Sequence, residues 1–205
     1  TSGRRRCPRS RTGACMREHP RLRFWSNLAG YQLVWFAAVI GAGRGVAWPA
    51  ALAAVLFVAW QLALSPRRGR ELRLLVLALG LGLLIDGGLS LSGLARYATP
   101  APALPAGGAP LWILCVWMSF AMTVSQSLAF LQARPWLAAL FGAVGGPAAY
   151  LGAARGWGAV AFVAPAALGL IVLALAWAVA MPLLSTLSAR WSRPPSAAGN
   201  SRRSS

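Results

Sequence analysis

Six long apolar segments, separated by short connections most of which carry arginine, constrain this chain more than any other feature. They cover 24–43, 46–64, 72–94, 111–132, 136–154 and 159–184. About 20 residues of helix, rising 1.5 Å each, cross roughly 30 Å of bilayer hydrocarbon. The pattern predicts an all-α fold, a polytopic membrane helix bundle with six transmembrane helices. A strand reading fails, because these runs are rich in Leu and Ala, lack period-two alternation and exceed the roughly 9–11 residues of a membrane strand. Very short connections predict tight hairpins between the first and second helices and between the fourth and fifth. Composition agrees: 58% of the 205 residues are hydrophobic and 11% are charged, against about a quarter charged in a soluble domain.

The charge is also segregated, and its placement gives a direction. All 20 basic residues are arginine, which reads as a coding bias. With the N-terminus in the cytoplasm, only Arg44, Arg96 and Arg155 face outward, and the other seventeen stay inside. The positive-inside rule then puts both termini in the cytoplasm. A net charge of +17 suggests nucleic acid in a soluble protein; here the arginines flank apolar segments and serve as topology signals, so no nucleic-acid partner is expected. Tryptophans near both sets of helix ends fit an aromatic belt. The first segment is too long for the h-region of a signal peptide, and no A-x-A site follows it.

Three regions result. Residues 1–23 form a basic cytoplasmic segment, of which 1–15 fall before a plausible start at Met16. Residues 24–184 are the transmembrane domain, and 185–205 a disordered basic cytoplasmic tail. The loop 95–110, "ARYATPAPALPAGGAP", faces outside, and its Pro, Ala and Gly content predicts an irregular or extended connector.

Asp86, in "GLLIDGGLSLSG" (82–93), is the acid inside an apolar run. At 100° per residue, Gly82, Asp86, Ser90, Gly93 and Tyr97 share one face of the third helix. The fourth helix carries a stripe of Trp112, Cys115, Ser119, Thr123 and Gln126. Asp86 lies roughly 12 Å from the outer end of its helix, and the same depth on the antiparallel fourth helix falls at Ser119. Ser119 and Thr123 are therefore the expected partners, with Gln126 deeper. A carboxylate at such depth costs about 2.5–3.5 kcal/mol, and a hydroxyl hydrogen bond returns about 0.6. An arginine, water or a proton must offset the rest, and a largely protonated Asp86 is favoured.

The remaining features have structural readings. Gly142 and Gly146 give the fifth helix a small-residue face, packed closely around Pro147; "GAVGGPAAY" lacks the Lys and the preceding strand of a phosphate loop. Arg44, Arg96 and Arg155 are interfacial anchors or contacts for an anionic headgroup or solute. Cys7, Cys15 and Cys115 support neither a disulfide framework nor a zinc site. His19 is the lone histidine, and Glu18 and Glu71 lie on the cytoplasmic side. No carboxylate dyad, nucleophile relay or metal site can be assembled, so neither an enzyme nor a cofactor is expected. Two readings stay open: a small transporter-like or solute-handling protein with Asp86 as an interior proton or ligand site, and a scaffold, bound to lipid or a protein partner, in which Asp86 ties helices together.

Three stretches, "LLIDGGLSLSGLARY" (83–97), "APLWILCVWMSFAMTVSQSL" (109–128) and "RPWLAALFGAVGGPAAYLGAARG" (134–156), carry a resemblance. Asp86 with its following glycines, Pro110 with Trp112, and Gly146-Pro147 followed by Tyr150 are its marks. Over roughly residues 24–180 the chain resembles the bacterial inner-membrane proteins grouped as domain of unknown function 2878. The resemblance implies a multi-pass protein of the bacterial plasma membrane and no particular activity.

Overall fold

The computed structural model of the chain describes residues 20–192. The basic lead-in and the tail expected to be disordered fall largely on 1–19 and 193–205, outside the described residues. Among the described residues six α-helices make up the bundle: α1 Pro20–Gly43, α2 Trp48–Leu64, α3 Arg68–Leu91, α4 Leu111–Val124, α5 Pro135–Trp157 and α6 Ala166–Arg190. Three of them, α3, α5 and α6, are long and apolar enough to cross a membrane, which marks a membrane protein. Apolar α2 and α4 are shorter, at 17 and 14 residues.

The bundle is apolar on its flanks as well as in its core. Large apolar side chains such as Leu33, Leu84, Val144 and Val179 stand exposed on its flanks, while Asn27, Gln61, Glu71, Asp86, Ser119 and Ser185 are buried. Outward apolar faces on this scale have no place in water and suit hydrocarbon.

Central helix α4 is enclosed by its neighbours, with 11 of its 14 residues buried. The apolar run 111–132 is thus not one continuous helix: α4 stops at Val124, and turns follow with a short 3-10 segment, Ala129–Leu131. A helix that ends inside a bundle leaves carbonyls without partners, and side chains from elsewhere supply them. Asn27 Nδ2 donates to the Met122 carbonyl at 3.2 Å and Gln132 Nε2 to that of Val124 at 3.0 Å. Ser127 closes the junction by donating to Asn27 Oδ1 at 2.7 Å.

The connector 95–110 is extended in part: β1 Ala95–Tyr97 pairs antiparallel with β4 Val160–Phe162, with Arg96 opposite Ala161, and β2 Ala103–Leu104 pairs with β3 Ala109–Pro110. A further expectation is corrected. The sixth apolar segment begins as a strand, because Gly158, at φ +63°, ends α5 in a left-handed turn and the β-branched and aromatic Val160 and Phe162 join β1. Helix α6 then starts only after Pro165. Two small strand pairs therefore sit over one end of the bundle, the end that also carries Arg44, Arg96 and Arg155, all exposed.

Candidate functional site

Helix α3 places Asp86 at the centre of the bundle, where the residue is 0% exposed. Its Oδ1 accepts from the Tyr97 hydroxyl at 2.7 Å and the Tyr150 hydroxyl at 2.5 Å, and its Oδ2 from the Trp117 indole at 2.6 Å. One carboxyl group thus joins α3 to β1, α5 and α4. An indole N–H can only donate, so Oδ2 serves as an acceptor. Three donors, and among the described residues no arginine, surround the Asp86 carboxyl group.

Local structure explains each donor. Gly82, one turn before Asp86, leaves the space that the Trp117 ring fills; a Cβ there would lie 2.5 Å from the indole Cδ1. Tyr97 is not on the α3 face, since that helix ends at Leu91 and the hydroxyl arrives from strand β1. Burial and then the Asp86 carboxylate push the Tyr97 phenol above its ordinary value. On α5, Gly142 and Gly146 admit α6: a Cβ on Gly142 would strike the backbone carbonyl of Trp177, and one on Gly146 would lie 2.5 Å from that indole ring. Trp177 then stacks on Trp117, with centroids 4.6 Å apart and planes at 18°.

The expected partners of Asp86 are corrected here. Ser119 donates to the Cys115 carbonyl at 2.9 Å and Thr123 to the Phe120 carbonyl at 2.7 Å, both within α4. Gln126 belongs to another cluster: its Nε2 donates to Gln61 Oε1 at 2.6 Å, and Arg23 donates to its Oε1 at 3.5 Å. Ser90 donates to the Gly107 carbonyl at 2.8 Å. Gly93 serves a turn, at φ +74°, rather than a helix contact, and Pro147 sits inside α5. Among the described residues none of Arg44, Arg96 and Arg155 forms an ion pair; Arg70 and Glu71 do, at 2.6 Å.

A second buried acid escapes the sequence reading. Glu71 is 1% exposed at the start of α3. Besides Arg70 it accepts from Ser65 at 3.2 Å and Ser125 at 2.7 Å. Its position three residues into a helix flanked by arginines disguises it as a surface charge. Among the described residues no three His, Cys, Asp or Glu side chains gather as a metal site would require.

Beside the Asp86 cluster lies a cavity of about 360 Å³, bounded chiefly by α1, α4 and α5. Trp117 and Tyr150 belong to its wall, so the carboxylate lies directly behind the surface that a bound molecule would meet. Trp112 and Trp177 line it as well, and their indole nitrogens are buried without a hydrogen-bond partner among the described residues. Among the described residues no Asp, Glu, Arg or His reaches the lining.

No curated protein and no solved structure matches the chain. A family model does, over residues 24–183, which takes in all six helices save their outermost turns. The chain belongs to the family described as protein of unknown function (DUF2878).

Proposed function

We propose that the protein is a non-enzymatic, multi-pass protein of the bacterial inner membrane that handles a small solute. All six helices lie in the bilayer, with both termini in the cytoplasm and the strand pairs outside. The carrying observation is the cavity walled by Trp117 and Tyr150, two side chains that Asp86 holds in place. Asp86 acts from behind that wall, fixing the surface a solute touches. Helix α4, at 14 residues, spans only about 21 Å. It can lie in the membrane because side chains of the bundle take up the carbonyls at its end, and irregular backbone whose groups are satisfied within the protein is tolerated there. The scaffold reading draws support from the closure of the Asp86 cluster, whose oxygens are taken up within the bundle.

Orientation is tested by cysteine labelling of a variant lacking Cys7, Cys15 and Cys115. Ala103→Cys, in the outer strand pair, should react with a membrane-impermeant maleimide applied to spheroplasts. Gly69→Cys, exposed in the first turn of α3, should react only after the membrane is opened. The reverse pattern would overturn the topology.

A further inference from the structure

The geometry points to Gln32 as a polar anchor at the mouth of the cavity, holding the hydroxyl head of a neutral, long-chain molecule dissolved in the lipid. This inference rests on the solute-handling reading above and gives that solute a chemistry.

Packing gives no reason for a glutamine at this position. Gln32 stands midway along the 24 residues of α1, roughly 17 Å from either end. With α1 in the bilayer, that is the middle of the hydrocarbon. The side chain is nevertheless exposed on the flank of the bundle. The other three glutamines are all bonded, Gln61 with Gln126, and Gln132 with Ser188 and the Val124 carbonyl. Gln32 has no such partner among the described residues. An amide without a partner in hydrocarbon is costly, and polar side chains at this depth mark function more often than packing.

The amide stands where a ligand can reach it. Gln32 and Phe36 on α1 and Phe141 on α5 line the cavity, and all three are exposed. Towards one end the two helices touch, where Gly43 packs on the backbone carbonyl of Trp157. Further from that end they part, and the cavity lies between them. Leu33 beside Gln32 and Val144 beside Gly145 are exposed too, so the mouth opens among side chains that suit hydrocarbon.

The lining then selects the ligand. The protons of Trp117 and Tyr150 are already given to Asp86, and the Trp112 and Trp177 nitrogens are buried out of reach. With no charged side chain among its described residues, the wall cannot offset the desolvation of an ion. A primary amide offers both N–H donors and a carbonyl acceptor. A hydroxyl donates and accepts in return, so one small neutral head satisfies both sides of the amide. An ether or ester only accepts, and a hydrocarbon does neither.

The test uses the whole protein in detergent micelles, photolabelled by a hexadecane that carries a chain diazirine. Hexadecanol, hexadecyl methyl ether and hexadecane compete at equal mole fraction in the micelle. Label should fall on α1 and α5, and hexadecanol should displace it about threefold to tenfold better than hexadecane, with the ether between them. Gln32→Leu should keep the labelling but make the three competitors equal, with no loss of melting temperature. Gln32→Met serves should the leucine variant fail to fold. Gly145→Leu, whose Cβ meets nothing nearer than Phe141 Cε1 at 3.8 Å, should fill the cavity and abolish saturable labelling.

Equal competition by all three in the wild type would overturn the hydroxyl chemistry while keeping the site. A lower melting temperature or a smaller oligomer in both Gln32 variants would show the amide held by packing or by a second copy of the chain, and would overturn the anchor. Labelling that no competitor displaces, unchanged in Gly145→Leu, would remove the solute-handling reading as well. The cysteine-labelling pattern is independent of all these outcomes.

Discussion

Asp86 draws its three donors from three separate parts of the fold, and each donor has a different consequence when removed. Trp117 can only donate, so Asp86→Asn sets an amide N–H₂ or a lone oxygen against more donors than it can accept. The expected cost is about 1–3 kcal/mol for each donor left unsatisfied, read as a loss of stability in detergent. Tyr97→Phe removes one donor and also one titration. Because the Tyr97 phenol is pushed up in the folded protein, folding stability is full below the unfolded tyrosine value of about 10 and falls as pH rises above it. Stability measured between pH 8 and 11.5 should therefore fall less steeply above pH 10 in Tyr97→Phe than in the wild type. An identical slope would show that the Tyr97 hydroxyl is not held as described.

Among the elements, α4 and α5 are the ones whose sequence says least about their surroundings. Depth counting along the antiparallel α4 reaches the level of Asp86, but Ser119 lies about 200° around the helix from Trp117, and the ring at 117 is what meets α3. The stripe argument assumes that a helix has a lipid face, and α4 has none, so a polar stripe carries no information about which side faces Asp86. The end of α4 is equally hidden, because its carbonyls are satisfied by Asn27 and Gln132, from a distant helix and from the chain beyond the break. Asn27→Ala should cost about 1–3 kcal/mol by stranding the Met122 carbonyl and the Ser127 hydroxyl; a neutral effect on thermal stability would mean that the break is held otherwise. Along α5 the glycines separate cleanly. Gly142→Ala drives a methyl into the Trp177 backbone and should cost about 1–3 kcal/mol. Gly145→Ala meets open space and should be neutral or stabilising by up to about 1 kcal/mol.

At the scale of the whole molecule, what local hydropathy encodes was readable: the helices exist, they are apolar outward, and one acid is interior. What long-range pairing encodes was not. The β1–β4 ladder joins residues 95–97 to 160–162, and no periodicity in either segment announces the other. Tyr150 came into view only as part of a resemblance, although with three tyrosines in the chain it was one of few groups able to meet a buried acid. The central claim is that one carboxyl group binds α3, α4, α5 and β1 into a single unit beside the cavity. A double-mutant cycle between Asp86→Asn and Trp117→Phe tests it most directly, with unfolding free energies taken from SDS titration in mixed micelles. The account predicts a coupling of about 1–3 kcal/mol, so that the double variant is scarcely less stable than the worse single one. Additive losses would contradict it, because they would mean that Trp117 and Asp86 act independently.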